Sequence, residues 1–126
     1  MKELSGRRIL IAEDEYLIAM DLVEALESLG AEVIGPVGTV LQGSRLIAAE
    51  SIHAAVLDVN LQGELVFPLA DELAGQSIPF VFATGYNDGS IPERFDHIER
   101  FGKPCSREEM QRLVDVITQS GGVVDV

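Results

Sequence analysis

The sequence predicts an α/β domain in which five parallel strands alternate with helices that cover both faces of one doubly wound sheet. Three observations carry this reading. Short apolar runs recur between helical patterns. Those runs are apolar throughout, as strands buried on both sides must be. Polar residues capable of chemistry stand at the ends of the runs, the edge where such sheets place their sites.

Arg8-Ile9-Leu10-Ile11-Ala12 is a run of strand length closed by three acids, Glu13, Asp14 and Glu15. Ile18, Leu22, Ala25, Leu26 and Leu29 then recur at helical spacing, and Gly30 suits a left-handed C′ position. Glu32 to Val37 reads as a second strand carrying Gly35-Pro36. Thr39 to Glu50 is a weaker helix, because Gly43 inside it costs about 1 kcal/mol against alanine. Ala54 to Leu57 is a third strand running into Asp58. Flexible Gln62-Gly63 leads to a helix over Phe67 to Gly75, and Pro79 to Ala83 is a fourth strand ending at Thr84-Gly85. Asn87 to Phe95, rich in Gly, Ser, Asp and Pro, holds at most one short helix, capped by Ser90 with Glu93 at N3. A short strand over Ile98 to Gly102 precedes Lys103-Pro104. Ser106 and Glu109 form a capping box that opens the last helix, whose core stripe is Met110, Leu113, Val114 and Ile117.

The 126 residues fit one domain, 1–126, with its core over about residues 8–119 and a loose tail over 120–126. At 47% hydrophobic and 24% charged, the chain supports a real core. Nine basic residues against 21 acidic give a net charge of −12 and a pI near 4.4, which argues against nucleic acid and anionic membrane surfaces as partners. The single cysteine, Cys105, excludes an internal disulfide framework and fits a reducing cytosol; it is expected to be a small half-buried side chain, with Lys103 near enough to lower its pKa. No apolar run approaches the roughly 20 residues of a membrane span. Charges at the start leave no room for the apolar segment of a signal peptide. A cytoplasmic monomer is expected.

The strand ends gather chemistry. Glu13 and Asp14 follow the first strand, Asp58 the third, Thr84 the fourth and Lys103 the fifth. Two carboxylates about 5 Å apart repel by roughly 3 kcal/mol at an effective dielectric near 20, so such a trio is not kept for stability. A divalent cation relieves the repulsion, and oxygen ligands favour Mg²⁺. Three carboxylates, Lys103 and one Mg²⁺ sum to neutrality. Such a site suits phosphoryl transfer, with Asp58 as the nucleophile that becomes an acyl phosphate. Lys103 supplies a point charge to one phosphoryl oxygen and the Thr84 hydroxyl donates to another. Each residue alone has a plainer explanation: acids before a helix complement its macrodipole, and Thr84-Gly85 is an ordinary turn. Their joint placement at successive strand ends favours the phosphoacceptor site. His53 and His97 lack ligand company and read as ordinary surface or strand-end residues.

The set Glu13-Asp14, Asp58, Thr84 and Lys103-Pro104 resembles the receiver domain of two-component response regulators over residues 8 to about 119. The strings Phe82-Ala83-Thr84-Gly85-Tyr86 and Asp58-Val59-Asn60-Leu61 resemble the stand-alone receivers that carry a Phe-Ala-Thr-Gly-(Gly/Tyr) motif, found mainly in alphaproteobacteria. The resemblance implies a flavodoxin-like sheet of strand order 2-1-3-4-5. It implies Asp58 as phosphoacceptor, Asp14 as the main metal carboxylate, Glu13 reaching Mg²⁺ through water, and Asn60 offering its backbone carbonyl. It further implies a cis Lys103–Pro104 bond and a sensor histidine kinase or histidine phosphotransferase as phosphoryl donor in a phosphorelay. The chain would then be a signalling domain and not an enzyme, taking part only in its own phosphorylation and dephosphorylation.

Three positions depart from the family pattern. Arg100 stands where receivers carry Tyr or Phe, Cys105 where they carry Phe after Lys-Pro, and Gln62 where they carry Pro, which predicts a more mobile loop. With Arg100 there, Phe101 or Tyr86 is left to stand in for the switching aromatic, or residues 87–95 switch by ordering. Residues 9–93 hold one basic residue, Arg45, against 14 acids. Arg94, Arg100, Arg107 and Arg112 cluster over 94–112, the region receivers use for output partners. Asp21, Glu24 and Glu27 form an acidic strip on the first helix, the side receivers offer to kinase helices; solvated helix faces explain both clusters equally well. Two rival functions are a phosphorylation-independent adaptor and a haloacid-dehalogenase-like phosphatase. In the latter the nucleophile follows the first strand and the acid pair comes last, the reverse of the order here.

Overall fold

A computed structural model describes residues 2–85, 91–103 and 105–123. Among the described residues, seven strands and four helices follow one another as β1 (Arg8–Ala12), α1 (Tyr16–Ser28), β2 (Glu32–Val37), α2 (Val40–Ala49), β3 (Ala54–Asp58), β4 (Asn60–Leu61), β5 (Glu64–Leu65), α3 (Phe67–Gly75), β6 (Phe80–Thr84), β7 (Arg100–Gly102) and α4 (Arg107–Val123). A 3₁₀ turn, Glu93–Phe95, lies between β6 and β7. Five strands form one parallel sheet in the order β2-β1-β3-β6-β7, the doubly wound order expected once the small β4–β5 pair is set aside.

Alternate residues of each central strand point to opposite faces, and both faces are buried. Leu10, Ala12, Ala55, Leu57, Phe80 and Phe82 pack with Ile47 of α2 and Leu69, Ala70 and Leu73 of α3. Ile9, Ile11, Ala54, Val56, Val81 and Ala83 pack with Leu22 and Leu26 of α1 and Leu113, Val114 and Ile117 of α4. Each large side chain removed from water in this way contributes about 1.5–3 kcal/mol. The second layer also holds Leu4, fully buried. Its N–H donates to the Leu29 carbonyl while Lys2 Nζ donates to Ser28, so the N-terminal segment satisfies carbonyls at the end of α1. Gly30 has φ +96°, the left-handed C′ conformation its sequence position implied.

Gly43 has a packing reason. A Cβ there would lie 2.6 Å from Leu69 Cδ1, so the glycine lets α2 and α3 approach closely. In the 3₁₀ turn, Phe95 joins Phe67, Phe80 and Phe82 with ring centroids 5.6–5.9 Å apart, plugging the core with a single ring.

The structure differs from the sequence reading in three places. Gln62-Gly63 forms the turn of a short β4–β5 hairpin that the sequence did not announce, with φ of 53° and 87° at the two central residues, as a type I′ turn requires. The final helix continues to Val123, so residues 120–123 are helical where a tail was expected. No proline interrupts them, and each added residue gains a backbone bond. β7 begins at Arg100, two residues later than expected. Ser90 as a cap, Tyr86 as a substitute aromatic, residues 87–90 of the 87–95 segment expected to switch by ordering, and the Lys103–Pro104 bond lie outside the described residues.

Candidate functional site

The carboxyl edge of the sheet is built by consecutive strand ends. Glu13 and Asp14 leave β1, Asp58 closes β3 beside Ala83 of β6, and Thr84 pairs with Gly102 of β7, which delivers Lys103. One oxygen from each of Glu13, Asp14 and Asp58 lies within 4.8 Å of the others. Glu13 and Asp58 are buried, at 4% and 2% exposure, and Asp14 is half-buried.

Each acid accepts a backbone N–H. Glu15 N–H donates to Glu13 Oε2 at 3.0 Å, Asn60 N–H to Asp58 Oδ1 at 3.2 Å and Gln62 N–H to Asp14 Oδ2 at 3.2 Å. The first two are local turns two residues long. The third crosses from the hairpin tip and ties β4–β5 to the acid pair. Asn60 Oδ1 accepts Gly63 N–H at 2.7 Å, and Glu64 Oε1 accepts the Val40 N–H that opens α2, which braces the hairpin from both sides.

Lys103 provides the opposing charge. Its Nζ lies 2.9 Å from Asp58 Oδ2, 3.4 Å from Glu13 Oε1 and 3.5 Å from Glu15 Oε1. Burial raises the Asp58 carboxyl to about 7, helped by Glu13 and opposed by Lys103 and the Asn60 N–H. Burial would depress the Lys103 ammonium, but Asp58, Glu13 and Glu15 together hold it above its ordinary value. One lysine therefore faces three acids. Among the described residues Glu13 Oε1 finds no hydrogen-bond donor, since Lys103 approaches it at ion-pair distance only.

That orphaned oxygen fits a divalent cation. A buried acceptor that no protein donor satisfies costs free energy, and a hard cation held by oxygen ligands removes the cost. Glu13, Asp14 and Asp58 converge as such an ion requires, and Asn60 sits two residues past Asp58.

The Thr84 hydroxyl donates to the Phe101 carbonyl at 3.5 Å and is half-buried. All five sequence-derived side chains thus meet at one edge. Two partners escaped the sequence reading: Gln62, whose backbone reaches Asp14, and Glu15, whose carboxylate reaches Lys103 in place of capping α1. The third acid of the Glu13-Asp14-Glu15 run was the visible signal for the latter. Arg100 is exposed and paired with Asp96 at 3.7 Å, while Phe101 is 2% exposed beneath Arg112, whose guanidinium sits 4.8 Å from the ring centre. Arg94 makes two 3.0 Å bonds to Asp71, and Arg112 pairs with Glu99 at 3.5 Å, so three of the four clustered arginines are engaged within the chain. Burial and Glu109 push the Cys105 thiol up to about 11, the reverse of the lowering expected from Lys103. His53 is a strand-end residue, its Nδ1 accepting the Arg8 N–H.

No family model matches the chain. The chain is 35% identical over 89 residues to the transcriptional regulatory protein PdtaR of Mycobacterium tuberculosis, covering 70% of this chain and 43% of that protein. It is 37% identical over 91 residues to the phyllosphere-induced regulator PhyR of Methylorubrum extorquens, covering 69% of this chain and 32% of PhyR. It therefore spans less than half the length of these curated relatives. The solution structure of SdrG from Sphingomonas melonis Fr1 is 40% identical, with a TM-score of 0.82 over 94% of this chain and 99% of SdrG. A BeF3-activated conformation of SdrG matches at a TM-score of 0.76 and 39% identity, over 90% of this chain and 97% of that one.

Proposed function

The chain belongs to the receiver-domain family of response regulators, and from that premise we propose that Asp58 accepts a phosphoryl group in a Mg²⁺-dependent reaction. The observation that carries the reading is the buried Asp58 carboxylate, bonded to Lys103 at 2.9 Å beside two further acids and an unsatisfied Glu13 oxygen. Glu13, Asp14, Asp58 and the Asn60 backbone carbonyl would hold the metal. When bound, Mg²⁺ supplies the positive charge that keeps Asp58 ionised and offsets the charge of an incoming phosphoryl group.

The donor is a phosphohistidine of a sensor histidine kinase or histidine phosphotransferase. An Asp58 carboxylate oxygen attacks phosphorus, the P–O bond forms as the P–N bond breaks, and the imidazole leaves with the electron pair and takes up a proton. Lys103 turns from Asp58 towards a phosphoryl oxygen, and Thr84 exchanges the Phe101 carbonyl for another. Positioning and charge neutralisation supply the catalysis.

A groove of about 510 Å³ runs between α1 and the start of α4, lined by Ile18, Asp21, Leu22, Lys103 and Met110, and suits a helix of the donor protein. Asp21, Glu24 and Glu27 are exposed on α1. The signal then leaves by protein contact or by passing the phosphoryl group on, as in the stand-alone receivers that share the Phe-Ala-Thr-Gly-Tyr string. The chain works in the cytoplasm as a signalling domain and not as an enzyme on a separate substrate; among the described residues no helix is long and apolar enough to cross a membrane.

Exposed Arg100 in the place of the family aromatic favours one second reading, an adaptor that binds its partner without phosphorylation. Incubation with Mg²⁺ and acetyl phosphate, followed by intact mass, separates the two. A hydroxylamine-sensitive phosphoryl adduct on the wild type, absent from Asp58→Asn, is expected. An unmodified wild type would leave the adaptor.

A further inference from the structure

Ser106 N-caps α4 and Glu109 is its N3 residue. Glu109 Oε1 accepts the Ser106 N–H at 3.1 Å and the Glu109 N–H donates to Ser106 Oγ at 3.1 Å, a complete capping box. The other carboxylate oxygen does something the box does not need. Glu109 Oε2 accepts the Gly102 N–H at 2.9 Å. Gly102 ends β7 and immediately precedes Lys103. A single half-buried carboxylate thus holds backbone N–H groups on both sides of Lys103, one residue before it and three after. These bonds, Gly102 first and Ser106 second, hold the Glu109 carboxyl below its usual value.

The placement of the lysine makes this consequential. Its ammonium ends a flexible four-carbon stem and must stand between Asp58 and Glu13. Where the stem starts decides whether the charge arrives. Arg112, one turn further along α4, adds a bond from Nη2 to the Arg100 carbonyl at 3.5 Å. The first turns of α4 therefore grip β7 at both ends. We propose that Glu109 is a positioning residue for Lys103, clamping the backbone on either side so that the ammonium meets the phosphoryl group. The proposal rests on the phosphoacceptor reading.

Two variants separate positioning from helix capping. Ser106→Ala removes the hydroxyl half of the capping box but leaves both carboxylate bonds of Glu109, to the Gly102 and Ser106 N–H groups; Glu109→Ala removes both carboxylate bonds and leaves the backbone N–H of residue 109 donating to Ser106 Oγ. Beryllofluoride affinity at saturating Mg²⁺, Mg²⁺ affinity alone, and amide exchange at Gly102 are followed by NMR on the full chain, with urea unfolding as the stability control. Glu109→Ala should weaken beryllofluoride binding about tenfold and expose the Gly102 amide, the usual scale for a misplaced catalytic group. Its Mg²⁺ affinity should stay within about twofold, because the metal acids lie elsewhere. Ser106→Ala should lose stability without losing beryllofluoride affinity. Equal weakening in both variants, or none in Glu109→Ala, would overturn the clamp. A wild type that binds no beryllofluoride would instead overturn the phosphoacceptor reading beneath it.

Discussion

Thr84 and Phe101 meet across the last two strands of the sheet: the threonine hydroxyl donates to the phenylalanine carbonyl at 3.5 Å, the long limit of a hydrogen bond. A neutral bond of that length is easily exchanged for a charged phosphoryl oxygen. Thr84→Ala should accordingly leave the stability of the metal-free protein within about 0.5 kcal/mol while weakening beryllofluoride binding ten- to a hundredfold, the value of one charge-assisted bond. Urea unfolding and an NMR titration in Mg²⁺ check the two halves. An equal loss in both would make Thr84 a structural residue.

The pH dependence of the metal-free protein follows from Asp58. Its carboxyl titrates near 7 when folded and near 3.8 when unfolded, so the native state binds the extra proton between those values. Stability is then greatest below about pH 4 as far as this group is concerned, and is lost as pH rises through about 7. Asp58→Asn should flatten that slope and stabilise the metal-free chain at pH 8 by about 2 kcal/mol, allowing for relaxation of the site. Adding Mg²⁺ at pH 8 should stabilise the wild type and leave Asp58→Asn much less affected. Urea midpoints at pH 5 and pH 8, with and without Mg²⁺, test this.

Gly43→Ala sets helix propensity against packing. In an open helix the change would gain about 1 kcal/mol. Here the new methyl would meet Leu69, whose Cδ1, Cδ2 and Cγ all lie within 3.4 Å of it and which is fully buried. We expect a net loss of about 1–2 kcal/mol on thermal or urea unfolding, with phosphoryl uptake unchanged, since α2 contributes no side chain to the acidic site.

What the sequence revealed follows from how local each signal was. Strand ends of a parallel sheet share one edge whatever the details, so Glu13, Asp14, Asp58, Thr84 and Lys103 could be placed together from their order alone. Features that needed a partner distant in sequence were not legible. Leu4 reads as one apolar residue among charges until α1 closes over it, and Gly43 reads as a helix defect until Leu69 is beside it. The clustered arginines looked like an interaction surface, but Asp71, Asp96 and Glu99 take three of them up. The hairpin was hidden because its strands are two residues long and depend on Asp14, Val40 and the Asn60 side chain for support.

That hairpin gives the sharpest test of how this chain departs from its family. Receivers commonly carry proline where Gln62 stands, so restoring the family residue looks conservative. The backbone says otherwise. Gln62 has φ 53°, whereas proline is locked near −65°, and its N–H is the donor to Asp14 Oδ2. Gln62→Pro must reverse the turn and surrender that bond, at a cost of about 2–3 kcal/mol. Mg²⁺ affinity should fall with it, because Asp14 loses the group that orients its carboxylate. Gln62→Gly keeps the N–H and accepts the positive φ, so its Mg²⁺ affinity should stay near wild type. Calorimetric Mg²⁺ titration and urea unfolding of the three proteins decide the matter: if Gln62→Pro binds Mg²⁺ as the wild type does, the bond from the hairpin tip does not orient Asp14.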